Sequence, residues 1–181
     1  MVNTNLISLL AEGKPTFTDG GIAAEYTWLI VVLPFIAALI ITFFGKYLPL
    51  KGAEIALATI AFIFAFSSYL LYLNVIEGVA SEFYINVGSI GSFDLEFGWV
   101  VDGLSIMMYF VVGTVATLVF IYATNYMKGE VRYTFFFTSL TLFAGSMLVL
   151  VSSPTLLQLL IGWELVGVCS YLLIGQYWEN K

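Results

Sequence analysis

The chain has 181 residues, of which 61% are hydrophobic and only 10% charged, and it carries a net charge of −6 with no histidine and one cysteine. So little charge cannot cover the surface of a soluble domain of this size, so a lipid bilayer is the expected solvent. The acidic balance argues against a nucleic-acid partner, because neutralising phosphates needs Lys and Arg.

The absence of His and the single Cys169 argue against zinc sites, His-ligated haem and His-dependent catalytic triads. The glycines are scattered and form no phosphate-cradling loop. No cofactor is therefore expected in this chain.

Residues 1–26 are polar, with Gly, Pro and the acids Glu12, Asp19 and Glu25. They lack the basic start and cleavage site of a signal peptide, so the first apolar run should be a true span. That run, Trp28–Phe44, reads "WLIVVLPFIAALIITFF" and is apolar on every side, with Pro34 expected to kink the helix or cost it a hydrogen bond. A second run covers residues 55–73. After it, "SEFYINVGSIGSFDLEFGWVVD" alternates in part around "GSIGS", which predicts a β-hairpin with a glycine-rich turn.

Three more runs follow, at residues 104–123, at Tyr133–Val151 and at residues 155–177. A hydrocarbon core of about 30 Å needs roughly 17–25 helical residues, and the five runs have 17 to 23. Backbone groups in lipid must be satisfied within their own segment, and none of these runs alternates as a barrel strand would. The expected fold is all-α and transmembrane, with five spanning helices and an extramembrane β-hairpin between the second and third. The organisation predicted is a polar extension (1–26), helices one and two (27–76), the hairpin segment (77–101) and helices three to five (102–181).

Orientation follows from the basic residues. Lys46 and Lys51 fall between helices one and two, Lys128 and Arg132 between three and four, and Lys181 after five, while only Lys14 falls on the other side. The N-terminus and hairpin are expected outside and the C-terminus inside.

Most carboxylates lie in the connections, where solvation accounts for them. Asp102 opens "DGLS" ahead of helix three, which suits an N-cap accepting backbone N–H bonds, with a role in helix packing or proton access as the sharper alternative. Glu164 is different, because it is the tenth of 23 residues in the last run. At about 1.5 Å of rise per residue it sits near mid-membrane. A charge there costs at least ~2.5–3.5 kcal/mol on insertion scales, and such residues mark ion or proton pathways. The carboxyl must either hold a proton or meet a cation, and both suit a proton carrier. The plain alternative is a Glu that fastens one helix to another. Gly167 and Tyr171 share its helical face and leave room for water or a neighbouring helix.

The stretch around Glu164, "GWELVGVCSYLLIG", follows "VDGLSIMMYFVV", "IYATNYMKGE" and "GSMLVLVSSPTLLQLLIGWE" in order. Together they closely resemble the largest antiporter-like (chain 5) subunit of respiratory complex I, over roughly residues 93–178. The first two helices and the hairpin agree with that family in layout. The resemblance implies a proton-translocating membrane-arm subunit of an NADH–quinone oxidoreductase, in an energy-conserving membrane such as the bacterial plasma membrane. It further implies other membrane-arm subunits of complex I as partners, with FMN, iron–sulfur clusters and quinone elsewhere in the assembly and no redox chemistry in this chain. Glu164 falls on the family's helix-five Glu, a functional carboxylate coupled to lysines on later helices.

The sequence departs from that pattern in places. Phe120 stands where the family usually has His, Phe135 where it has Arg, with Arg132 close by but shifted. The first 25 residues look like an addition. The family's first inverted repeat takes helices four to eight, of which two fall within this sequence, so it reads as an N-terminal portion. Related subunits occur in multisubunit cation/proton antiporters and membrane-bound hydrogenases, though "VGVCSYLLIG" favours the respiratory subunit. A structural scaffold without a proton role is the reading from a different class.

Overall fold

The computed structural model describes residues 26–77, 81–90 and 93–177. The polar extension before Tyr26, the tip of the hairpin and residues 178–181 lie outside that description. Five helices long and apolar enough to cross a bilayer are present among the described residues: α1 (Trp28–Phe44), α2 (Ala53–Glu77), α3 (Gly103–Tyr126), α4 (Tyr133–Val151) and α5 (Leu156–Ile174). A two-stranded antiparallel sheet, β1 (Ser81–Ile90) and β2 (Phe93–Val101), joins α2 to α3. The expected all-α transmembrane fold with its hairpin is the observed one.

The helix ends differ from the hydropathy runs where local chemistry decides. α2 extends past the run 55–73 at both ends, starting at Ala53 after Gly52, whose φ is +95°. α5 is shorter than expected. Thr155 is extended and its hydroxyl caps the Gln158 N–H at 3.4 Å, while beyond Ile174 the chain tightens into a 3-10 turn, Gly175–Tyr177. α1 continues through Pro34, which is buried on the side where α4 packs, close to Gly145.

In the bundle α1 packs against α2 and α4, α2 lies along α3, and α5 lies along α4, while α3 and α4 touch less. Phe120 of α3 meets Phe137 of α4 edge-on at 6.2 Å, and both are buried. Close approach of α4 and α5 depends on Gly162, where a Cβ would stand 2.9 Å from the Leu150 backbone. Hydroxyls within the spans bond back to carbonyls one turn earlier, as Thr114 does to Phe110, Thr141 to Phe137 and Ser170 to Val166, all within 2.8 Å. These hydroxyls therefore keep their hydrogens from facing hydrocarbon.

The hairpin is built from the expected alternation. Phe83 pairs with Trp99 and their rings stack at 5.1 Å. A bulge at Val87 shifts the register between Asn86 and Gly88, so that Ile90 comes opposite Phe93. Tyr84 donates a 2.9 Å hydrogen bond to the Glu82 carboxylate. That bond, more than burial or repulsion from Glu96, holds its phenol above the usual range.

Candidate functional site

Two candidate carboxylates come from the sequence, and the fold sets them apart. Asp102 sits at the junction of β2 and α3, in extended conformation. Its Oδ1 accepts from the Ser105 N–H at 2.7 Å and from the Ser105 hydroxyl at 2.6 Å. This is an N-cap, and it satisfies one of the donors that the first turn of a helix leaves free. Replacing Asp102 by Ala should cost about 1 kcal/mol of stability and fray the first turn of α3. Faster amide exchange at Ser105, with exchange at Phe120 unchanged, is the expected measurement.

Glu164 is the ninth of the 19 residues of α5, about 12 Å from the helix start by the ordinary rise. Among the described residues it is the one ionisable acid or base in the interior of a span, since Glu54 and Glu77 fall in the end turns of α2. No described residue hydrogen-bonds or ion-pairs with it. The reason lies in which face α5 turns to α4. Gln158, Gly162 and Cys169 are buried there, and the Cys169 sulfur lies 3.7 Å from the Ser146 hydroxyl. Glu164 points the other way, in a stripe with Leu160, Gly167, Tyr171 and Ile174, all exposed on the bundle. Tyr171 is 76% and Ile174 82% exposed. This spacing, alternately four and three residues, puts them on one face of the helix. Gly167 has nothing within 4 Å of where a Cβ would sit. A glycine in mid-helix costs about 1 kcal/mol relative to Ala, and nothing in the described bundle requires it.

One residue that the sequence reading passed over organises this region. Gln158, on the first turn of α5, is 5% exposed. Its Oε1 accepts from the Gly98 N–H and its Nε2 donates to the Gly98 carbonyl, both at 2.8 Å. The side-chain amide thus pairs with the free edge of β2 as a third strand would. Alternate residues of that edge are held too. Thr155 Oγ1 donates to the Glu96 carbonyl at 3.2 Å, Val100 N–H to the Ser152 carbonyl at 2.9 Å, and the Tyr109 hydroxyl to the Val100 carbonyl at 2.8 Å. Gly98 is required, because a Cβ there would collide with the Phe83 carbonyl. A lone Gln near the start of an apolar span is the sequence signal that could have pointed to this clamp.

The four described basic residues lie at the opposite end from the hairpin. Thr134 Oγ1 donates to the Lys51 carbonyl at 3.1 Å, which ties the α1–α2 connection to the start of α4. Arg132 is stacked over the Phe135 ring at 4.7 Å, a cation–π contact at the start of α4. Among the described residues no group of His, Cys, Asp and Glu could hold a metal ion.

A solved archaeal respiratory complex, the membrane-bound sulfane sulfur reductase, contains a chain with the same fold. The match has a TM-score of 0.65 at 13% identity, covering 83% of this chain and 29% of that one. Five helices long and apolar enough to span a membrane, with a two-stranded hairpin joining the second and third, make an antiporter-like membrane fold. Residues 88–137 match the family model described as NADH-Ubiquinone oxidoreductase (complex I), chain 5 N-terminus. The chain is 42% identical over 166 residues to NAD(P)H-quinone oxidoreductase subunit 5 of the Paulinella chromatophora chromatophore, covering 88% of this chain and 25% of the relative. It is 42% identical over 166 residues to chain 5 from Synechocystis sp., covering 87% and 24%, and 39% identical over 169 residues to the chloroplastic subunit 5 of Glycine max, covering 87% and 22%. The chain is related to the N-terminal portion of chain 5 of the NAD(P)H-quinone oxidoreductases, and it spans about a quarter of the length of these relatives.

Proposed function

We propose that this chain provides the N-terminal part of a proton-translocating membrane subunit of an NAD(P)H–quinone oxidoreductase, with Glu164 as its proton-carrying residue. The observation that carries the proposal is the position of Glu164, at mid-span on the one face of α5 that the bundle leaves open. A carboxylate facing hydrocarbon there costs several kcal/mol unless a proton or a cation neutralises it. The described cations are all at the span ends, so the neutralising group comes from a segment or subunit docked on the stripe from Leu160 to Ile174. A lysine is the group that suits it. When the lysine approaches, the ammonium replaces the proton on Glu164; when it withdraws, Glu164 takes a proton again. The names of the relatives support the assembly, and their shared likeness over most of this chain supports the placement within it.

In this reading Asp102 keeps its capping role and positions α3 under the hairpin rather than carrying protons. FMN, iron–sulfur clusters and quinone belong to other subunits. Electron transfer there supplies the energy that moves the lysine. The membrane is an energy-conserving one, and the other membrane-arm subunits are the partners. The test is proton translocation by the assembled complex after the Glu164 carboxylate is replaced by an amide, with loss expected. Unchanged translocation would leave the chain a structural scaffold.

The orientation proposed has the hairpin outside and the basic connections inside. It predicts that Tyr84→Cys, at a position 49% exposed, reacts with a membrane-impermeant thiol reagent added outside. Gly129→Cys, at the other end, should react only after the membrane is permeabilised. The reverse pattern of labelling would invert the topology.

A further inference from the structure

Lys46, Lys51, Lys128 and Arg132 ring two adjoining cavities at the end of the bundle opposite the hairpin. One, of about 560 Å³, is lined by Leu50, Lys51, Leu57, Asn125, Lys128 and Tyr133 among others. The other, of about 440 Å³, is lined by Lys46, Lys51, Val131, Arg132, Thr134 and Phe135. Lys51 belongs to both. We propose that this end is a binding site for the phosphate of an anionic phospholipid headgroup, held by Lys51 and Lys128.

Three observations carry the assignment. Lys51 is the one non-glycine residue with positive φ, at 51°, among those described. The Thr134 hydroxyl holds its carbonyl at 3.1 Å, and the Glu54 carboxylate holds the preceding Leu50 N–H at 2.9 Å. The connection is thus fixed with a cation on the ridge between two cavities. Neither described acid of this end, Glu54 or Glu130, is among the residues that line the cavities, and Glu54 is engaged with the Leu50 N–H. The third observation is depth. Tyr47, Tyr122 and Tyr126 are 87%, 66% and 60% exposed at the same end, and the last two stack at 5.5 Å. Exposed tyrosines at span ends mark the headgroup level of a bilayer. Basic pockets between spans at that level suit lipid phosphates. The apolar walls at Leu50, Leu57 and Tyr133 favour a lipid over a soluble anion, because they continue into the acyl region.

The inference does not depend on any proton role of Glu164. It is tested in the intact complex, stripped of lipid and reconstituted in phosphatidylcholine vesicles. These contain a minor fraction of photoactivatable phosphatidylglycerol or, in a parallel sample, photoactivatable phosphatidylcholine. Phosphatidylglycerol should label the peptides around residues 47–57 and 124–133 in preference to phosphatidylcholine. The label should fall about fivefold in Lys51→Gln and again in Lys128→Gln, return in the Lys→Arg variants, and resist millimolar inorganic phosphate. Equal labelling by both lipids, or no label at these peptides, would overturn the proposal. So would labelling that both Gln variants leave unchanged. Displacement by inorganic phosphate would overturn the lipid source in favour of a soluble phosphate. The two-lipid comparison on the unaltered complex decides the matter even where a variant fails to assemble.

Discussion

Glu164→Gln should give a complex that assembles normally, still passes electrons to quinone, and moves fewer protons per electron. The amide keeps the size and polar contacts of the carboxyl group but cannot take up or release the proton. Removing a positioned proton carrier slows transfer by on the order of 100-fold or more, so translocation through this subunit should be lost within a turnover. Glu164→Asp keeps the titratable group and withdraws it by one methylene, and it should keep part of the activity. The measurement is the proton-to-electron ratio of the complex reconstituted in sealed vesicles, with assembly checked on a native gel. A Gln variant with an unaltered ratio would show that the carboxyl group only fastens α5 to whatever covers it. Scaffold and carrier differ in a second readout as well. A fastening residue should be replaced by Gln and Asp with similar loss of assembly, whereas a carrier should show the order Glu, Asp, Gln in pumping with assembly constant.

Gln158→Leu should detach the hairpin from the bundle while leaving α5 helical, since Leu is a good helix former of similar size. The substitution removes both 2.8 Å bonds to Gly98 and leaves a buried N–H and a buried carbonyl without partners. Each such group costs roughly 1–3 kcal/mol, so the clamp should lose about 2–6 kcal/mol. Hydrogen exchange over residues 93–101 should accelerate sharply, with Gly98 and Val100 leading, while the interior of α5 stays protected. Protection of this peptide equal to that of the unaltered protein would mean that the bonds from Thr155, Ser152 and Tyr109 hold β2 without the glutamine.

The two experiments address different ends of one helix. α5 carries the hairpin clamp on its first turn and the carboxylate two turns further on, so the hairpin and Glu164 share a rigid element. Loss of the clamp should therefore shift the approach angle of the open stripe. The strengths of the two substitutions should not simply add in a double variant.

Much of this was legible in the sequence. Length and hydropathy place five helices, because a backbone in lipid must satisfy its hydrogen bonds in a helix or a closed barrel, and these runs do not alternate as barrel strands do. Alternation around two glycines predicts the hairpin, and one acid in the middle of an apolar run marks Glu164. These are local properties, read from neighbours a few positions apart. The facing of the helices is not local. A span such as α1 is apolar all round, and α5 is so apart from Gln158 and Glu164, so composition does not say which side is covered, and lipid competes with protein for either. Only the packed bundle shows that Gly162 brings α5 against α4 and that Glu164 is turned away from every described helix. The Gln158 clamp was equally out of reach, since its partner Gly98 lies 60 positions away. The sequence by itself determined that five described segments are long and apolar enough to cross a bilayer and that an acid stands at the middle of one of them, because hydropathy and length are properties of each segment alone. The tertiary structure decided which face bears the charge and what holds the hairpin, because those depend on which surfaces fit closely enough to exclude lipid and pair buried polar groups.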